Sequence, residues 1–266
     1  MGAPAEDSPL RVWRERDGRL LRLRLARPKA NLIDAAMVAA LAEALPAPAE
    51  GGASGGGPAL RGILFDAEGP HFSFGASVEE HLPAAAPAML WALHALLLKM
   101  LGAPVPILVA LRGQCLGGGL EVACAGHVLF AAPDAKLGQP EIGLGVFAPA
   151  ASCLLPERIG LAAAEELLLS GRSIDGREAH RLGLVTALAE DPEAAALAWF
   201  DAHLAGRSGA ALRFAAAAAR LDLVERVRAK LAAVERLYLG GLMSTHDALE
   251  GLTAFLGKRP ARWEDR

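Results

Sequence analysis

Two carboxylates, Glu121 and Glu141, stand twenty residues apart in apolar surroundings. The first lies among Leu120, Val122 and Ala123, the second in the loop Gly138-Gln139-Pro140-Glu141-Ile142. A carboxylate is almost never fully buried without a partner. Desolvation and mutual repulsion raise at least one carboxyl pKa toward neutrality, which is what a paired general acid and base require. The competing reading is of two loop carboxylates meeting solvent.

The densest glycine cluster, Gly113-Gln114-Cys115-Leu116-Gly117-Gly118-Gly119-Leu120-Glu121, follows the apolar run Ile107 to Leu111. A strand, a glycine turn and a helix in that order bring backbone N–H groups close to a ligand atom at a helix N-terminus, where developing negative charge is favoured. The same residues also suit a tight structural turn. The dinucleotide fingerprint does not fit, because no third glycine follows at the required offset. A further segment, His71 to Leu82, carries Gly75, whose conformational freedom lets the Ala76 N–H turn into a cleft. Glu79, Glu80 and His81 are consecutive and cannot share one helix face, so they read as solvated residues and no metal site is expected. The lack of a G-x-S-x-G elbow counts against a serine hydrolase of the α/β type.

These groups need a scaffold, and the chain alternates strand and helix patterns. Leu20 to Leu25 alternates Leu with Arg, predicting a strand with one wet face, and Asn31 to Leu45 has helical spacing with Asp34 placed as its cap. Ile63 to Phe65, Ile107 to Leu111 and His127 to Ala131 read as further strands, the apolar second one covered on both faces. Ala84 to Leu101 and Leu120 to Ala125 read as helices between them, so the expected class is α/β. The glycine-rich stretch from Pro46 to Pro58 reads as a surface connection. Beyond Pro156 the pattern turns helical: Ala162 to Leu169, Arg177 to Leu182 with Asp175 as cap and Gly183 as stop, then Ala-rich helices to Phe255.

Composition sets the outer bounds. The 266 residues are 53% hydrophobic but only 5% aromatic, enough for a large aliphatic core. A net charge of −3 offers no basic face, so no nucleic-acid partner is expected. The longest apolar run, Ala84 to Leu98, falls short of the roughly 20 residues of a bilayer span, so no membrane partner is expected either. Met1 to Asp17 does not read as a signal peptide, which makes a cytoplasmic location the default expectation. Cys115, Cys124 and Cys153 lie among apolar residues without metal-ligand spacing and read as buried thiols.

Five segments then occur in a telling order: Arg27-Pro28-Lys29-Ala30-Asn31, Phe72-Ser73-Phe74-Gly75-Ala76, Gly117-Gly118-Gly119-Leu120-Glu121, Gly138-Gln139-Pro140-Glu141 and Ala254-Phe255-Leu256-Gly257-Lys258-Arg259. Together they resemble the enoyl-CoA hydratase/isomerase (crotonase) superfamily over most of the chain. The resemblance implies a crotonase-like spiral of repeated ββα units with a C-terminal helical trimerisation region, dividing residues 1–195 from 196–266. It implies an acyl-CoA thioester as substrate, coenzyme A being part of that substrate and no separate cofactor being needed. By the same resemblance the Ala76 and Gly118 N–H groups form an oxyanion hole and Glu121 and Glu141 are the catalytic glutamates. Lys29, Phe255 and Lys258 would contact CoA, and the assembly would be a homotrimer or a dimer of trimers.

Within the family, the runs from Phe72 to Pro83 and from Gly145 to Cys153 are similar to hydratases of a cyclic dienoyl-CoA, which act in anaerobic benzoyl-CoA degradation. The common hydratase pattern has a small residue where Phe74 stands, Asp where Ser77 stands, and a Pro-Gly, glycine-rich stretch where this chain has Phe147 to Ala151. This likeness implies 1,4-addition of water to cyclohexa-1,5-diene-1-carbonyl-CoA, giving 6-hydroxycyclohex-1-ene-1-carbonyl-CoA. Phe74, Ser77, Val78 and Phe147 would then line the acyl pocket, with the two phenylalanines flanking a flat ring. Ordinary core packing is the competing reading for both. The rival functions are a straight-chain 2-enoyl-CoA hydratase and a non-catalytic CoA-binding subunit, and the presence of both glutamates weighs against the second.

Overall fold

The computed structural model describes residues 8–46 and 60–266; apart from Pro46, the glycine-rich connection lies outside them. The chain opens with an antiparallel pair, β1 (Leu10–Glu15) and β2 (Leu20–Leu25). Helix α1 (Ala35–Ala44) follows, and the Asp34 side chain accepts the Met37 N–H as the spacing predicts. Strand β3 (Gly62–Ala67) then pairs in parallel with β2.

The face of β2 expected to be wet is covered. Arg22 is 2% exposed, its guanidinium paired with Asp66 at 2.5 Å, Glu15 at 2.9 Å and Glu193 at 2.6 Å. Arg24 reaches Asp66 at 2.7 Å, and Trp13 lies against both arginines. Buried charges persist where opposite charges and hydrogen bonds replace water. The Leu/Arg alternation therefore separates an apolar core from an ionic layer rather than a core from solvent.

From β3 onward, successive passes share one plan. Each sends a strand to a large sheet, a short extended piece to a small one, and then a helix. After β3 comes Ser73, bridged to Cys115, and then α2 (Ala86–Leu101). Next come β4 (Ile107–Leu111), β5 (Gln114–Leu116) and α3 (Gly118–Cys124). Then come β6 (Val128–Ala131), β7 (Lys136–Gly138), a 3-10 turn at Pro140–Leu144 and α4 (Pro149–Ile159). The chain continues through α5 (Leu161–Ser170), β8 (Ser173–Asp175), α6 (Gly176–Arg181) and β9 (Ala187–Leu188). The large sheet runs β1-β2-β3-β4-β6-β9 and the small one β5-β7-β8. This is the α/β spiral of ββα units.

Strand β4 is buried on both faces, as its composition requires: Ile107, Val109 and Leu111 join the main core, while Leu108 and Ala110 join the layer under α7 (Pro192–His203). Ala196 and Phe200 of α7 pack on the large sheet, so the expected division at 195/196 falls inside a helix of the sheet layer. The 32-residue α8 (Gly209–Gly240) crosses α2 and α4, placing Val227, Leu231 and Val234 in the main core, and α9 (His246–Leu256) closes the chain. Cys115, Cys124 and Cys153 are buried free thiols. Among the described residues, no helix is long and apolar enough to cross a membrane.

Candidate active site

The small sheet assembles the site, because the connections that form it converge on two glycine turns. Ser73 N–H donates to the Gln114 carbonyl at 3.0 Å and the Ser73 carbonyl accepts the Leu116 N–H at 3.0 Å. The Ser73 hydroxyl donates to the Asn31 carbonyl at 2.8 Å and accepts the Gly75 N–H at 3.1 Å. Asn31 is itself buried, accepting the Arg27 N–H and donating to the Glu68 and His71 carbonyls. Gly75 then turns at φ +102°, which an L side chain rarely adopts, and a Cβ there would press within 3.1 Å of the Leu116 carbonyl.

Gly117 N–H donates to the Gly138 carbonyl at 2.9 Å, and Gly117 turns at φ +49° into the first residue of α3, Gly118. The two turns touch: a Cβ on Gly118 would lie 3.2 Å from the Ala76 nitrogen. Among the described residues, neither the Ala76 N–H nor the Gly118 N–H has an acceptor. Two adjacent amide donors, one at a helix N-terminus, suit an oxygen that gains negative charge.

Glu121 sits in the first turn of α3, 4% exposed, and its Oε1 accepts the Ala151 N–H at 2.8 Å. Burial pushes its carboxyl up to about 7 against the opposing pull of the Ala151 and Ala150 N–H groups. Glu141 lies on the 3-10 turn, its Oε1 so close to the glycine turn that a Cβ on Gly117 would stand 2.7 Å away. Burial, followed by the Glu121 charge, pushes Glu141 up to about 8. Gln139, 1% exposed, lies between the Gly117 carbonyl and this carboxylate; with its amide nitrogen toward Glu141 it donates to both oxygens at 3.1 Å. The solvated-loop reading is therefore set aside for Glu121, while Glu141 is half-buried beside the glycine turn.

The structure thus brings Ala76, Gly118, Glu121 and Glu141 together around one small volume. Val78 and Phe147 pack on a neighbouring apolar cluster that includes Val146 and Tyr238, with the Phe147 and Tyr238 rings 5.3 Å apart. Phe74 behaves differently, being 43% exposed and edge-on to His71 at 5.0 Å. Ser77 donates its hydroxyl to Glu79 Oε2 at 2.9 Å. Lys29 is exposed on the turn after β2, and Phe255 and Lys258 are exposed at the end of α9. Sequence reasoning left three positions without a role. Ser73 and Gln139 stood only inside quoted motifs, where a buried polar residue between two glycine turns was the available signal. Tyr238, in a long Ala-rich helix, carried no local signal.

Comparison with known proteins agrees with this geometry. The family described as Enoyl-CoA hydratase/isomerase matches residues 15–266. The chain belongs to that family. It is 68% identical over 259 residues to a cyclohexa-1,5-dienecarbonyl-CoA hydratase of Thauera aromatica, covering 97% of this chain and 98% of that one. It is 37% identical over 215 residues to a probable enoyl-CoA hydratase of Bacillus subtilis (strain 168), covering 77% and 82%. An enoyl-CoA hydratase/isomerase of Pseudoalteromonas atlantica T6c, solved crystallographically, superposes with a TM-score of 0.80 at 26% identity, covering 96% of this chain and 99% of that one.

Proposed function

We propose that this enzyme adds water to cyclohexa-1,5-diene-1-carbonyl-CoA in a 1,4-sense, giving 6-hydroxycyclohex-1-ene-1-carbonyl-CoA. The observation that carries the reading is the juxtaposition of the buried Glu121 and half-buried Glu141 carboxylates with the Ala76 and Gly118 amides, neither of which has an acceptor among the described residues. The 68% identity to the Thauera aromatica hydratase supports the cyclic substrate.

The steps follow from the electrostatics. The Ala151 and Ala150 N–H groups favour an ionised Glu121, while the Glu121 charge helps to keep the proton on Glu141. Glu121 takes a proton from water as the oxygen bonds to the β carbon of the thioester. The electron pair moves to the carbonyl oxygen, where each amide donor is typically worth about 10²–10³ in rate. The dienolate also carries charge at the ring carbon para to the one attacked, and Glu141 delivers its proton there. Proton return from Glu121 to Glu141 restores the enzyme. Coenzyme A enters and leaves as part of the substrate, with no other cofactor taking part; Lys29, Phe255 and Lys258 contact it, and Phe74, Ser77, Val78 and Phe147 line the acyl end.

Turnover of the cyclic dienoyl-CoA against crotonyl-CoA tests the reading. A clear preference for the cyclic thioester supports it, and a preference for crotonyl-CoA replaces it with straight-chain hydration. The enzyme assembles as a trimer or a dimer of trimers: Phe214, Leu221 and Leu237 of α8 are more than half exposed in one chain, and apolar side chains of this size favour cover. Light scattering should give a mass of three or six chains, and a monomer would overturn that assembly.

A further inference from the structure

The chain contains one tyrosine, Tyr238, near the end of α8. Its side chain is fully buried, yet among the described residues its hydroxyl has no hydrogen-bond partner. Phenylalanine would fill the same space without the penalty of burying an unpaired hydroxyl. The ring packs at 73° against Phe147 and belongs to the cluster on which Val78 rests, so α8 contributes to the wall of the expected acyl pocket. Burial, then the charges of Glu141 and Glu121, raise the phenol pKa, so the group remains a neutral donor within the field of both carboxylates.

We infer that the Tyr238 hydroxyl hydrogen-bonds the oxygen atom that is added to the ring, first as the attacking water and then as the hydroxyl of the product. Glu121 accepts one hydrogen of that water and Tyr238 donates to one lone pair, leaving the other lone pair directed at the ring carbon. Orientation of this kind is a recognised source of rate, because a misdirected water must first reorganise. The inference rests on the hydratase reading of the site.

The test compares the wild-type enzyme with Tyr238→Phe, which keeps the ring and removes only the hydroxyl. On the cyclic dienoyl-CoA, kcat should fall about tenfold or more with KM changed by less than about twofold, and thermal stability should not fall. Affinity for 6-hydroxycyclohex-1-ene-1-carbonyl-CoA should drop, while affinity for cyclohexanecarbonyl-CoA, which lacks the hydroxyl, should hold. An unchanged kcat, or equal weakening of both ligands, overturns the inference. If the wild-type enzyme prefers crotonyl-CoA, the substrate reading fails alone, and the same loss of kcat on crotonyl-CoA decides the role of Tyr238. Turnover of neither thioester removes both.

Discussion

Glu121 Oε1 accepts the Ala151 N–H at 2.8 Å, tying the first turn of α3 to the first turn of α4. That bond holds one carboxylate rigidly at the start of a helix, while its counterpart, Glu141, is carried by the 3-10 turn between β7 and α4.

Replacing either glutamate by glutamine should remove acid or base capacity while keeping the shape of the site. Glu121→Gln and Glu141→Gln are each expected to lower kcat by about 10²–10⁴. Stability should move the other way at high pH. Both carboxyls hold protons more tightly folded than unfolded, so their contribution falls as pH rises from the ordinary glutamate value of 4.5 through about 7 and 8. Glu141→Gln removes much of that decline, and thermal unfolding at pH 5 and pH 9 should show a flatter slope than wild type.

The pH dependence of kcat/KM should be bell-shaped. Below about 7 Glu121 gains a proton and the base is lost; above about 8 Glu141 gives its proton up and the acid is lost. The two limbs belong to the pair as a unit. A profile flat from pH 6 to pH 9 would contradict the shared-proton mechanism.

Gly117→Ala should damage activity more than Gly143→Ala, since Gly143 has open space around its Cβ position. A methyl at Gly117 meets Glu141 Oε1 at 2.7 Å on a backbone with φ +49°. Strain at such a position costs on the order of 1–3 kcal/mol. The expected signature is a loss in kcat together with a lowered Tm, measured against the Gly143 variant.

The ionic layer beneath α7 should be sensitive to loss of one partner. Asp66, 2% exposed, is shared by Arg22 and Arg24, so Asp66→Ala leaves buried positive charge unpaired. The expected cost is about 3–5 kcal/mol. Adding Arg22→Met to Asp66→Ala should not restore the loss, since Arg24 still lacks Asp66 and Glu15 then loses Arg22. Calorimetry on the two variants measures the difference.

Some of the architecture is local and was therefore legible. Strand β4 has the expected bounds, Asp34 and Asp175 cap the helices they precede, and Gly183 ends its turn with φ +84°. The glycine turn before α3 was visible because only glycine tolerates such backbone. Other parts were hidden for physical reasons. Strands β5 and β7 are three residues each, too short to show a period of two, and they read as loops. Arg22 looked solvated because charge usually is, and only the packing of α7 shows that its face is covered.

The amino-acid sequence by itself determined the pairing of two apolar-set glutamates with two glycine turns, and through their order the family, because residue type and short-range spacing are properties of the chain. Tertiary structure alone decided that the Gly75 and Gly117 turns touch, that Glu141 lies against Gly117, and that Tyr238 packs on Phe147 although the two are more than ninety residues apart in the chain. Those contacts join segments distant in sequence, and they are set by which faces the sheets and helices must bury together.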